Sequence, residues 1–178
     1  MLTDGQKTAL LRIAREAVVA RVSGENRPLP AIEALPEVTG VFVTLKRRGA
    51  LRGCLGVLQL RGTLAEEVAR CARDSASEDP RFPPVAADEM ADTSLEISVL
   101  GPLELIDPVQ QDAIEIGRHG LVVEQGQRRG LLLPQVAVEW GWTSEQFLRQ
   151  TCRKAGLTPD AWQNGAEVFR FDAEVFGE

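Results

Sequence analysis

The chain has 178 residues, of which 44% are hydrophobic and 26% charged, and a net charge of −6. This length allows a sizeable core and excludes more than two independent domains, while the apolar content excludes a disordered or fibrous chain. With 20 Lys and Arg against 26 Asp and Glu, and no apolar run of membrane-spanning length, neither a nucleic-acid nor a membrane partner is expected.

Thr3 and Gln6 have capping-box spacing, and Leu10, Ile13, Ala14, Ala17 and Val18 form one apolar stripe, so a helix is predicted over residues 4–22 with Gly24 as its stop. Pro28, Pro30 and Pro36 then mark an irregular connection. Residues 40–46 alternate as a strand, and Arg48-Gly49 turns the chain into a second strand over 51–57, giving an antiparallel hairpin. The cationic run Lys46-Arg47-Arg48 is read as a solvated turn. Thr63 and Glu66 start a helix that runs to about residue 76, with Cys71 packed inside it.

Asp79-Pro80-Arg81-Phe82-Pro83-Pro84 breaks regular structure, and Leu95 to Leu100 alternates as a strand ended by Gly101-Pro102. A short helix is predicted over 108–117 with Val109, Ala113 and Ile116 inward. Residues 121–124 and 131–133 form a second hairpin, ended by Pro134. Thr143 and Gln146 open a further helix with Phe147, Leu148, Thr151 and Cys152 inward and Gly156 as its stop. Residues 168–176 alternate, which directs Phe169, Phe171, Ala173 and Val175 to a core. These elements predict an α+β class: an antiparallel or mixed sheet packed by helices.

The densest chemistry lies in Gly49-Ala50-Leu51-Arg52-Gly53-Cys54-Leu55-Gly56. In an unbroken strand Arg52 and Cys54 share one face, and Leu51 and Leu55 the other. Arg52 could then lower the thiol's pKa or orient an anion, and Gly53 would allow close approach. The competing reading is an inert, packed cysteine. His119, in a Gly-Arg-His-Gly loop, is a candidate base toward Cys54, or a structural residue. Glu96 and Ser98 lie on the polar side of their strand; Asp79 and Arg81 either complete an anion-binding groove or form a local salt bridge. One His and three separated Cys give no compact metal site, and no phosphate loop or dinucleotide fingerprint is present, so no metal or cofactor is expected. The three cysteines cannot all pair within one chain, and the N-terminus lacks a secretory leader pattern, so a reducing cytoplasm is the expected location.

With these residues in view, the chain closely resembles the AmmeMemoRadiSam system protein A family, also called the AMMECR-one domain family. The likeness runs through Leu51-Arg52-Gly53-Cys54-Leu55-Gly56, residues 79–84, 95–100, 116–121, 130–137, 142–148 and 171–176. One departure is Ser77, where a bulkier, often aromatic side chain is expected behind the Asp79 loop. The resemblance implies a single domain over residues 1–178 with a larger and a smaller subdomain and a groove between them. It also implies a Memo-like protein and a radical S-adenosylmethionine protein as partners, the radical cofactor belonging to the partner. The suspected site carried over centres on Arg52, Gly53 and Cys54, with Asp79, Arg81, Glu96 and His119 as neighbours.

Two functions follow. One is a thiol-dependent modification enzyme or catalytic subunit, with Cys54 as nucleophile, Arg52 and Arg81 steering an anionic group, and His119 or Glu96 moving a proton. The other is a non-catalytic module presenting the groove to a protein or a small anionic ligand. Oligomeric state is left open.

Overall fold

In the computed structural model the described residues are 2–25, 28, 32, 35–36, 38–110 and 113–178. The connection predicted between residues 26 and 36 lies mostly outside them. The chain divides into two compact units, the first comprising residues up to Leu100 together with Glu174–Glu178, the second Gly101–Ala173.

The first unit begins with α1 (Asp4–Ser23), capped by the Thr3/Gln6 box and closed by Gly24 in the left-handed region (φ 73°). β1 (Gly40–Arg47) and β2 (Ala50–Val57) form the predicted hairpin. Its two turn residues, Arg48 (φ 50°) and Gly49 (φ 83°), both have positive φ, as tight hairpins of this hand require. α2 (Leu64–Ser77) starts on the Thr63/Glu66 box, and β3 (Thr93–Leu100) pairs antiparallel with β1 on the side away from β2. Val41, Val43 and Leu45 of β1 and Ile97 of β3 face Leu10, Ile13 and Val18 of α1 and Val68 and Ala72 of α2 in one buried core. Each such Leu, Ile or Val contributes roughly 1.5–3 kcal/mol by leaving water.

The cationic run at the hairpin is more than solvated. Lys46 pairs with Glu96 at 2.8 Å, Arg47 with Glu89 at 2.9 Å and Arg48 with Asp92 at 2.6 Å, so all three charges are met within the unit. The Ser77 hydroxyl donates to the Arg73 carbonyl at 3.0 Å and accepts from Arg21 Nε at 3.0 Å, tying α1 to the end of α2.

In the second unit β5 (His119–Gln125) pairs antiparallel with β6 (Arg128–Leu132) and with β7 (Glu167–Gly177), which also pairs with the short β4 (Glu104–Ile106). Pro134 does more than end the hairpin: it is the first residue of α3 (Pro134–Glu139), where its missing N–H would have been unpaired in any case. α4 (Ser144–Lys154) starts on the Thr143/Gln146 box, and Phe147, Leu148 and Cys152 pack with Leu121, Val123 and Val168 in a second core.

Two expectations fail here. The helix predicted over 108–117 is absent among its described residues, which form successive tight turns (Gln110 N–H to Asp107, Ala113 to Gln110, Arg118 to Glu115) with Val109 74% exposed; residues 111 and 112 lie outside the described set. The simple alternation of β7 also fails: Val168 and Phe171 are its most buried side chains and Val175 is exposed. The strand serves two cores in turn, Val168 in the second unit and Phe176 in the first, so no single face is apolar throughout.

Candidate functional site

Cys54 lies on β2 directly across from Thr44, on the sheet face opposite that covered by α1 and α2. The Thr44 hydroxyl donates to Cys54 Sγ at 3.2 Å. Across β1 on the same face stand Glu96, opposite Thr44, and Ser98, opposite Phe42. Ser98 is fully buried, and its hydroxyl has no partner among the described residues. Lys46 Nζ holds Glu96 at 2.8 Å. The ladder therefore sets a carboxylate, a hydroxyl and a thiol in a row across three strands.

Arg52 does not join that row. β1 residues Leu45 and Lys46 pair with Gly53 and Leu51, so Arg52 is an extra residue without a cross-strand partner, a bulge that resets the alternation. The expected sharing of one face by Arg52 and Cys54, and of the other by Leu51 and Leu55, is thereby corrected. Arg52 Nε and Nη2 grip Glu89 at 2.9 and 2.8 Å, and Nη1 and Nη2 donate to the carbonyls of Pro83 and Pro84. This guanidinium braces the 83–89 loop and supplies no charge to the sulfur. Glu89 is buried and also accepts from Arg47 Nη1 at 2.9 Å and from the Ala86 N–H at 2.9 Å. The Arg52 bond above all holds its carboxyl at about 2.

The cation beside the thiol is Arg81. Asp79 and Arg81 form the salt bridge that one reading expected, at 2.7 Å, and together they grip the main chain of Cys54. Asp79 Oδ2 accepts the Cys54 N–H at 2.9 Å, and Arg81 Nη2 donates to the Cys54 carbonyl at 3.3 Å. Asp79 is buried, and its bonds from Arg81 hold its carboxyl well below the usual range. Ser75 of α2 adds a second tie. Its hydroxyl accepts the Leu55 N–H and donates to the Val43 carbonyl, both at 2.8 Å, linking the two strands.

Gly53 answers to packing: a Cβ there would lie 2.1 Å from the Ser75 carbonyl oxygen, so only glycine lets β2 run this close to α2. The close approach expected at this glycine is made by another backbone, that of α2 at Ser75. Burial pushes the Cys54 thiol above its ordinary value of 9.0, outweighing the Thr44 hydrogen bond and the Arg81 charge that pull it down. This direction fits the packed-cysteine reading of Cys54 better than an activated thiol. Burial likewise pushes Cys71 up to about 11.

His119 belongs to the second unit, whereas Cys54, Asp79, Arg81, Glu96 and Ser98 belong to the first. The charged residues around His119 (Glu115, Arg118, Arg170 and Asp172) all belong to its own unit. Thr44, Ser75 and Glu89 were not singled out from the sequence. The alternation of 40–46 places Thr44 opposite the apolar face, but only the register shows that it meets Cys54. Among the described residues no group of three or more His, Cys, Asp or Glu side chains could hold a metal ion, and no helix is long and apolar enough to cross a membrane.

The fold and this arrangement define an α+β protein with antiparallel strand pairing and a cysteine-centred polar sheet face. The chain belongs to the AMMECR1 family, which it matches over residues 11–176. A protein of Methanosarcina mazei is 43% identical over 187 residues, covering 100% of this chain and 94% of its own length. One of Methanothermobacter thermautotrophicus is 44% identical, covering 99% and 96%. The crystal structure of uncharacterized protein PH0010 from Pyrococcus horikoshii superposes with a TM-score of 0.86 at 44% identity, covering 98% of this chain and 91% of that one.

Proposed function

We propose that the chain is a binding module whose first-unit sheet face receives an anionic group, carried by a partner protein or by a small molecule. Arg81 meets the charge, and Cys54 is an uncharged neighbour. The observation that carries this reading is the different commitment of the two arginines. Arg52 spends its donors on Glu89 and two carbonyls, whereas Arg81 Nη1 makes no hydrogen bond to any described residue and its side chain is 53% exposed. A neutral, half-buried thiol is a poor nucleophile, which weighs against chemistry at Cys54 in the resting protein. Carried over from the resemblance, the partners are a Memo-like protein and a radical S-adenosylmethionine protein, met in the cytoplasm.

One observation favours the thiol-enzyme reading as a second: the Thr44 hydroxyl donates to Sγ, the bond a thiolate would use, with Glu96 directly across from Thr44 as a proton acceptor. Surface plasmon resonance of the immobilised full chain separates the two. A purified Memo-like protein and inorganic pyrophosphate are passed over wild type, Cys54→Ser and Arg81→Gln. The binding reading expects Arg81→Gln to weaken one of the two interactions about tenfold or more, the cost of a lost charge-assisted hydrogen bond, and Cys54→Ser to leave it unchanged. A covalent adduct trapped on Cys54, with turnover lost in Cys54→Ser, would overturn it in favour of thiol chemistry.

A further inference from the structure

His119, the chain's one histidine, is 6% exposed at the first residue of β5. Its Nδ1 accepts the Glu115 N–H at 2.9 Å, and its own main-chain N–H returns to the Glu115 carbonyl at 3.0 Å. Ring and backbone thus close the same turn. Because Nδ1 is an acceptor, the proton of the neutral ring sits on Nε2. Nε2 stands 3.8 Å from Asp172 Oδ1, beyond hydrogen-bond reach, and that oxygen is held by Arg118 Nε at 2.8 Å. The charged groups around the ring are Glu115 and Arg118 on the turn and Arg170 and Asp172 on β7. Burial first, then Arg170, keeps the imidazole below its ordinary value of 6.5, so the closed turn is the state at neutral pH.

Protonation removes the acceptor, because Nδ1–H would then face the Glu115 N–H and that bond must break. A charged ring gains by moving toward Asp172, about 1 Å short of contact. The turn it leaves adjoins Ile114, which is 7% exposed and forms part of the wall of a cavity of about 540 Å³ within the second unit. Pro108, Val109, Leu148 and Trp162 supply the rest of its apolar lining, and the size suits a small organic molecule.

We infer that His119 is a latch on this cavity wall: the neutral ring closes the 115–119 turn and fixes Ile114, and the protonated ring turns to Asp172 and loosens the wall. NMR on the full chain from about pH 8 to about pH 5 tests it, reading the His119 ring, the Glu115 amide protection factor (its exchange relative to an unstructured chain at the same pH) and the Ile114 methyl shift. As the ring titrates below 6.5, Glu115 protection falls about tenfold or more and the Ile114 methyl shifts with the same midpoint, while the Val43 and Leu45 amides stay protected. His119→Gln, whose carbonyl can take the Glu115 N–H, makes both readouts independent of pH; His119→Ala leaves Glu115 fast-exchanging throughout. Three results would each overturn the latch: Glu115 protection that ignores the ring's titration, protection that survives in His119→Ala, or loss seen only together with the Val43 amide.

Discussion

Replacing Glu89 with alanine asks whether Arg52 is a structural brace. The Glu89 carboxylate takes two bonds from Arg52, one from Arg47 and one from the Ala86 N–H, and only 11% of its side chain is exposed. Its pKa of about 2 against an ordinary 4.5 corresponds to roughly 3 kcal/mol at about 1.4 kcal/mol per unit. Removing one partner of a buried ion pair costs about 3–5 kcal/mol, in agreement. Glu89→Ala is therefore expected to lower stability by about 3–5 kcal/mol, a fall in Tm of roughly 6–20 °C. Since the folded-state pKa is depressed, this contribution is complete above pH 4.5 and is lost as pH falls toward 2. The assay is urea unfolding followed by circular dichroism and first-unit amide exchange, because all three tryptophans lie in the second unit. A loss below about 1 kcal/mol at pH 7, or an acid limb unchanged by the substitution, would refute the brace.

Gly53→Ala drives a methyl into the Ser75 carbonyl and should cost about 1–3 kcal/mol or more in the same urea assay, with first-unit amides losing protection first. Ser75→Ala strands the Leu55 N–H between β1 and β2 and should cost about 1–3 kcal/mol; faster exchange at Leu55 is the local check. Thr44→Val removes the hydroxyl that donates to Sγ, so Cys54 alkylation should shift to still higher pH with little change in Tm; a shift to lower pH would contradict the assigned hydrogen bond.

What could be read from the sequence was local. Three capping boxes, at Thr3, Thr63 and Thr143, placed three helix starts, and Arg48-Gly49 placed a hairpin, because each signal and its partner lie within three residues. The Asp79–Arg81 bridge was legible for the same reason. The faces of β2 were not, since the bulge at Arg52 is set by pairing with Leu45 and Lys46 and leaves no mark on a period-two pattern. Residues 108–117 carried helical spacing, but it is the adjacent Ala113 and Ile114 that pack into the second core, while Val109 stays exposed. Pro134 stops a strand and starts a helix equally well, so α3 was hidden behind the turn it follows. The thiol's state depended on burial and on Thr44, neither visible in the spacing of Arg52 and Cys54.

Cys54 is held by the Thr44 hydroxyl and by the Asp79–Arg81 grip on its main chain, its thiol is pushed up by burial, and Arg52 is turned to Glu89. Peptide-resolved iodoacetamide labelling of the folded chain across pH tests this arrangement. The expected labelling midpoint for Cys54 lies above 9.0 and is moved little by Arg52→Lys at temperatures where the variant is folded. A midpoint at or below 9.0 that rises when Arg52 is replaced would contradict it.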